Sequence, residues 1–466
     1  MITNKFNNFF SGIVSNSSNN KIGSFVFSVD YIPFQGLIRN IQKSNQNYFY
    51  LTQPSIVRQI IGFESLLSIS FSGADRIGLS EKEINELSKN FISNWNEHKD
   101  SDFPLFLGGL KFRPEGNTEL TTWSDYKDSE WFIPTFTFYQ NGTDYYLIYN
   151  FFINADLGSH LSKLNKFTSL LESALEDGKE QYSSSKSFLS EQIGNNDFTP
   201  WEEKVKGALK IISDGDAEKI VLSRQVEYNL NKLPNIEQVL EELSTTYPTC
   251  HTFAFRKGKS IFFGASPERL AKISEGWIEA DALAGSAPRG KTEEEDKLIV
   301  ETQLKSNKNI NEQKAVVDFI ANSFKSFSDE INFDKNPQIK KLPNIQHLWT
   351  PIRAKLLKTG SVFSLLKEIH PTPAICGVPW SKALTFINNT ENHKRGLYAG
   401  IIGWFNFYNE GEFIVALRSG LLKDRKLYAF AGCGIVEGSD PLLEYKESEL
   451  KLQPILSLFK DEKEAK

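Results

Sequence analysis

Near the C-terminal end of the chain, Glu444, Glu447 and Lys451 fall at i, i+3 and i+7, a spacing that puts three side chains on one helix face. Two carboxylates one turn apart repel unless something positive sits between them. Lys451 could supply that charge, and the triplet would then be an ordinary solvated helix face. A divalent cation could supply it instead, and hard oxygen ligands are what Mg²⁺ prefers. Shortly upstream, Ala431-Gly432-Cys433-Gly434-Ile435 puts two glycines at the expected end of an apolar strand. Glycines there either let backbone N–H groups approach an anion or simply make a tight turn.

Other residues of chemical interest stand next to strands. In Gly264-Ala-Ser-Pro-Glu268-Arg269, Glu268 lies just past a strand end, a place suited to acid or base work and equally to a surface carboxylate. Lys219 opens the apolar run Lys-Ile-Val-Leu; such a lysine usually snorkels to solvent. Turned into a polar cleft, it would have its pKa lowered by partial burial and could act as a base. Arg418 ends Phe413-Ile-Val-Ala-Leu-Arg, and its planar fork suits a carboxylate, although a plain strand-end charge reads the same. His347 and His370 are lone histidines that read, from their own context, as structural. The chain has no Walker A loop, GxGxxG fingerprint, GxSxG elbow or HExxH helix, so nucleotide, nicotinamide, serine hydrolase and zinc protease chemistry find no support.

The elements that must position these residues fall into two textures. Residues 1 to 180 are rich in Phe, Asn and Ser and read mostly as strands, such as Ser24–Asp30 and Trp131–Tyr139, the latter turning at Asn141-Gly142 into Asp144–Tyr149. Glu81–Trp95 and Leu161–Glu176 have helical spacing. A polar stretch over 181–198 reads as a linker. Thr199-Pro200-Trp201-Glu202 then looks like N-cap, N1 and capping box of a helix whose apolar face is Trp201, Val205, Leu209 and Ile212, ending at Gly215. From there strands (from Lys219, Ile261, Leu397, Glu412 and Lys426) alternate with helices (Ile310–Phe324 and one opened by Asp440-Pro441), and the tail from Lys460 reads as frayed.

Composition bounds the rest. The 466 residues include 36 Phe and 15 Tyr, enough to bury a large core, and the length allows about three domains or one large α/β unit. The net charge of −5 offers no global attraction to nucleic acid or an anionic membrane. Three scattered cysteines, Cys250, Cys376 and Cys433, make neither a disulfide framework nor a zinc site and point to a reducing cytoplasm. No apolar run reaches membrane-spanning length, and the N-terminus lacks the basic start and apolar stretch of a signal peptide. The expectation is a soluble cytoplasmic protein, and a monomer, since no helical interface stripe stands out.

Taken in order, the segments resemble the chorismate-utilising enzymes, the family of anthranilate synthase component I, aminodeoxychorismate synthase, isochorismate synthase and salicylate synthase. The resemblance covers about residues 200 to 456 and is carried by Lys219-Ile-Val-Leu-Ser-Arg224, Gly264-Ala-Ser-Pro-Glu-Arg-Leu270, Ala282-Leu-Ala-Gly-Ser286 and Asn311-Glu312. It continues through Gln346-His-Leu348, His370-Pro-Thr-Pro-Ala374 with Gly377, Gly400 with Gly403, Ala416-Leu-Arg418, the Gly432/Gly434 segment and Glu444-Tyr-Lys-Glu447 with Lys451. It implies an α+β chorismate-binding fold, a large antiparallel sheet core flanked by helices. Residues 199–466 would be the catalytic region and 1–180 a variable part of the same fold.

The resemblance also implies roles. Chorismate, a small dicarboxylate, would be the substrate, and Mg²⁺ would be held by Glu312, Glu444 and Glu447. Arg418, Lys451 and the segment Gly432, Cys433 and Gly434 would bind the substrate carboxylates, while Ala284, Gly285, Ser286, His347, Thr372 and Ala374 would shape the pocket. Aminodeoxychorismate synthases place a nucleophilic lysine where this chain has Ala284, and anthranilate synthases typically carry Gln at the Lys219 position and His at the Gln313 position. Lys219 with Glu268 therefore resembles the water-using branch, isochorismate synthase. Lys219 would be the general base for water attack at C2 and Glu268 the general acid for the departing C4 hydroxyl. No glutaminase subunit is then expected, and the long N-terminal region is compatible with the menaquinone-type enzyme. Ser286 and Ser448 stand where the family often has Thr, and Cys433 where it has Ala or Gly. The nearest alternative is salicylate synthase, which shares Lys219 and Glu268 and then eliminates pyruvate. A non-catalytic binding module would leave some of these positions unfilled.

Overall fold

Strand Tyr48–Gln53 shows how the core is built. Phe49 and Leu51 point into one hydrophobic cluster while Tyr48 and Tyr50 point into another, the period-2 alternation of a strand buried on both faces. The computed structural model describes residues 2–14, 21–98, 102–115, 121–153, 156–176, 188–193, 197–357 and 360–460. Their 21 strands form one hydrogen-bonded network, antiparallel except where Ile22–Val29 runs parallel to Phe91–Ser93.

The network has two arms that part at strand Ser129–Asn141. One runs through Arg58–Phe71, Tyr48–Gln53, His251–Lys257, Ser260–Ser266, Ser419–Lys423 and Lys426–Val436 to Lys219–Leu230. The other runs through Phe106–Leu110, Ile401–Phe405, Gly411–Val415, Arg269–Ser274 and Trp277–Pro288 to Ile345–Lys355. The first cluster lies between the inner faces of the arms, where Phe106 stacks on Phe405 at 4.7 Å between ring centres. The second lies between the outer face of the first arm and helices Ile2–Val14, Phe34–Lys43, Leu157–Glu176 and Ile236–Thr246. The N-terminal strands are thus hydrogen-bonded directly to C-terminal ones, as in the pairing of Leu51 with Phe253. This is the α+β antiparallel architecture expected from the sequence.

Four local readings need correction. The helix expected over 81–95 is Arg76–Ser88; the chain then enters strand Phe91–Ser93, because pairing with Ile22–Ser24 outweighs the helical spacing. Within the expected linker, Leu189–Ile193 is a strand on Lys219–Leu230, while 177–187 and 194–196 lie outside the described residues, as does the tail from 461. The next helix is Phe198–Ser213 with Asp197 at its N-cap, so Pro200 falls inside the first turn, where its missing N–H is not needed, and Glu202 pairs with Lys206. The strand from Lys426 does not end at Gly432 but continues through Gly434 to Val436. The last helix, Pro441–Leu456, begins as read: the Asp440 carboxylate accepts hydrogen bonds from the Leu442 and Leu443 amides. No helix among the described residues is long and apolar enough to cross a membrane.

Candidate active site

Where the ends of the two arms meet, helices Asn307–Phe324 and Pro441–Leu456 close over a cleft of about 830 Å³, part of it open to solvent. It is lined by Glu268, Ala284, Gly285, Ser286, Glu312, His347, Ala374, Arg418, Gly432, Gly434, Glu444, Glu447 and Lys451. These residues come from segments up to about 180 positions apart, and the sheet with the two helices packed on it brings them together.

Three expected residues stand elsewhere. Lys219 borders an adjoining cavity of about 920 Å³, and its ammonium lies 2.7 Å from Glu312 in the wall between the two spaces. Cys433 points to the other face of its strand, as alternation requires between Gly432 and Gly434, and its thiol donates to the Glu444 carbonyl at 3.2 Å. Thr372 is buried outside the cleft; its carbonyl accepts the Ile375 and Cys376 amides, closing the turn that presents Ala374.

Backbone geometry makes room for the cleft. Gly285 sits at a bulge in the pairing of Trp277–Pro288 with Ile345–Lys355, at φ +68°, where a Cβ would come within 3.0 Å of Asn309. A Cβ on Gly434 would lie 2.6 Å from the Lys219 Cε and 2.7 Å from a Glu312 oxygen. These two strand glycines therefore supply space. Beyond Phe430 the Gly432 strand keeps its pairing with Lys219–Leu230 but has no described strand on its other edge, which borders the cleft.

The charges are arranged in a definite order. Glu268 is 3% exposed. Burial pushes its carboxyl up to about 8, with Asp281 reinforcing the rise and Lys219, Lys340 and Arg418 opposing it. The carboxyl is thus held largely protonated at neutral pH. His347 is driven well below its ordinary value by burial and by Arg418, so it is neutral. The Arg418 guanidinium donates to His347 Nε2 at 3.2 Å, which leaves the proton on Nδ1, 3.2 Å from the Gly285 carbonyl. Arg418 is buried, its Nε has no hydrogen-bond partner, and no carboxylate pairs with it among the described residues. Such a group is organised to receive an anion.

Three carboxylates face three lysines. Glu312 pairs with Lys219 at 2.7 Å, Glu444 with Lys308 at 2.6 Å, and Glu447 with Lys451 at 2.6 Å. Burial and the nearby Glu447 raise the Glu444 carboxyl, whereas Glu447, although burial opposes it, is held low by Lys451 and Lys308. Oxygens of Glu444 and Glu447 and the Cys433 sulfur lie within 4.8 Å of one another. The thiol is soft and burial pushes it well above its ordinary pKa, so the carboxylates are the donors suited to a hard divalent cation. In this structure Glu312 turns to Lys219 and stands outside that close group. Glu444 and Glu447 offer the hard oxygen donors that a cation such as Mg²⁺ takes.

Sequence reading missed several participants. Lys308 was legible four residues before Glu312, on the same helix face. Tyr398, stacked on Phe430 at 5.3 Å, and Asn309 also line the cleft without any local signal. Asp281 and Lys340 tune Glu268 from separate strands. Gln313, expected to mark the water-using branch, points away from the cleft and ties its helix to the sheet through the Ala282 carbonyl and the Thr350 hydroxyl.

Comparison with known proteins bears on this geometry. A family described as "Chorismate binding enzyme" matches residues 8–460. The chain is 31% identical over 438 residues to isochorismate synthase MenF of Bacillus subtilis, covering 91% of this chain and 90% of that one. It is 35% identical over 359 residues to the salicylate biosynthesis isochorismate synthase of Pseudomonas aeruginosa, covering 75% of this chain and 73% of that one. Among solved structures, the menaquinone-specific isochorismate synthase MenF of Escherichia coli shares the fold, with TM-score 0.77 at 21% identity over 98% of this chain and all of that one. Anthranilate synthase component I of Streptococcus pneumoniae follows the same fold, with TM-score 0.66 at 21% identity over 87% of this chain and 92% of that one.

Proposed function

The chain belongs to the chorismate-binding enzymes, and from that premise we propose that it is an isochorismate synthase, interconverting chorismate and isochorismate by adding water at C2 and releasing the C4 hydroxyl. One observation carries the reading. A buried carboxyl held neutral, Glu268, lines the cleft, an amine, Lys219, stands in its wall against Glu312, and the Arg418 fork, which no described carboxylate pairs, lies in the same cleft.

The family resemblance implies the roles, and the placements are compatible with them. In its neutral amine form, Lys219 Nζ takes a proton from water as the water oxygen bonds to C2; the ring double bond shifts, the C4–O bond breaks, and Glu268 gives its proton to the leaving oxygen. One water is consumed and one released, so the reaction is an isomerisation with no net change in composition. General acid and general base help of this kind typically contribute ~10² to 10⁴-fold each. Arg418, with Lys451 and the backbone edge at Gly432 and Gly434, receives the substrate carboxylates. His347, neutral, bonded to Arg418 and with a hydrogen bond to the Gly285 carbonyl, keeps the fork in position. Mg²⁺, when bound by Glu312, Glu444 and Glu447, would neutralise and clamp a substrate carboxylate. The small Ala284 side chain offers no amine for covalent chemistry, which favours water as nucleophile and a chain that works without a glutaminase.

The test is product analysis. The purified protein is incubated with chorismate and Mg²⁺, without ammonia or glutamine, and the products are separated by chromatography. An equilibrating pair of chorismate and isochorismate is expected. Salicylate with pyruvate would replace the assignment by salicylate synthase, and no turnover would overturn it.

A further inference from the structure

Lys308 acts on all three proposed metal carboxylates. Its ammonium bonds Glu444 at 2.6 Å, and Glu312 and Glu447 also stabilise its charge. Its place is otherwise unfavourable. It occupies the first turn of helix Asn307–Phe324, where the helix dipole opposes a positive charge. It also differs from the other two lysines of the site. The Lys219 and Lys451 side chains are 3% and 12% exposed, and Lys451 is further fixed to the Gly432 carbonyl. The Lys308 side chain is 35% exposed and lines both the cleft and the adjoining cavity, so it has solvent to move into.

We propose that Lys308 is the stand-in cation of the metal site: it holds the carboxylates in place when no divalent ion is present and swings toward the adjoining cavity when one enters. The proposal rests on the Mg²⁺ reading above. A divalent ion that takes the Glu444 oxygen at about 2.1 Å crowds an ammonium on that same oxygen, and like charges in a partly buried site repel. Metal binding is then an exchange of cations, and Lys308 sets the affinity by competing.

The experiment uses the full chain and two variants, Lys308→Met and Lys308→Arg. Mn²⁺ binding is followed by electron paramagnetic resonance of the free ion, and melting temperature is recorded with and without Mg²⁺. Lys308→Met should bind Mn²⁺ on the order of tenfold tighter, melt lower than the unmodified chain without metal, and recover with Mg²⁺. Lys308→Arg should stay near the unmodified chain. Equal or weaker Mn²⁺ binding by Lys308→Met overturns the competition while leaving the metal reading intact. If the unmodified chain binds no Mn²⁺, the metal reading falls and this one with it. Should Lys308→Met fail to fold, Lys308→Gln, isolated with Mg²⁺ and then stripped of it, carries the same comparison.

Discussion

The Lys219 ammonium meets the Glu312 carboxylate at 2.7 Å directly over the bare backbone of Gly434. The proposed base and one proposed metal ligand are therefore joined, at a point where the strand beneath has no side chain.

Gly434→Ala should separate the pair. The added Cβ meets only the ends of two flexible side chains, so the fold should persist, with an unchanged circular dichroism spectrum. Turnover of chorismate should fall by about 10²-fold or more, because a small displacement of a catalytic group has an effect of that size. Retained turnover would show that the Lys219–Glu312 geometry is not needed.

Lys219→Ala should abolish water addition, a loss of ~10² to 10⁴-fold. Chorismate binding, measured by equilibrium dialysis, should remain, since Arg418 and Lys451 line the cleft independently of Lys219. Comparable turnover by the variant would remove Lys219 from the mechanism.

Glu268 predicts two losses as pH rises, one in activity and one in stability. As general acid it must be protonated, so kcat/KM should decline as pH rises through about 8, and Glu268→Gln should be slow and flat across that range. For stability, the folded pKa lies above the unfolded value of 4.5, so the contribution of Glu268 is fully present below about 4.5 and is lost as pH rises to about 8. Glu268→Gln should therefore be more stable than the unmodified chain near pH 8, by a few kcal/mol at most on the scale of ~1.4 kcal/mol per pKa unit, and melt higher there, with the gap closing toward pH 5. Thermal melts across that range check the sign.

Arg418→Met should raise KM for chorismate by about 10²-fold, since the fork that receives a carboxylate is lost. The empty protein should not be destabilised, because the variant removes a buried charge that has no carboxylate partner. A lower melting temperature would mean that Arg418 stabilises the fold rather than awaiting a ligand.

Glu447→Gln should weaken Mg²⁺ binding by at least about tenfold, as one anionic ligand is removed. Calorimetric titration reads this directly, and an unchanged isotherm would remove Glu447 from the metal set.

What the sequence determined by itself is local and periodic. Alternation specified the buried strands, Asp440-Pro441 specified the start of the last helix, and i, i+3, i+7 spacing put Glu444, Glu447 and Lys451 on one face. The order of motifs was enough to collect thirteen of the expected residues around one cleft. What the tertiary structure decided depends on neighbours distant in the chain. Strand pairing ended the helix at Ser88 and carried Gly432 and Gly434 inside a ladder, which turned Cys433 away from the cleft. The proton on Glu268 depends on burial and on Asp281, Lys340 and Arg418, residues that no spacing rule connects. Lys308 stayed unread because a lysine four positions from a glutamate is ordinary on any helix; only the fold places it against Glu444, 136 residues away. Periodicity reports which face of an element is buried. Charge state and ligand geometry depend on which faces meet, and that is fixed only when the two arms of the sheet close on each other.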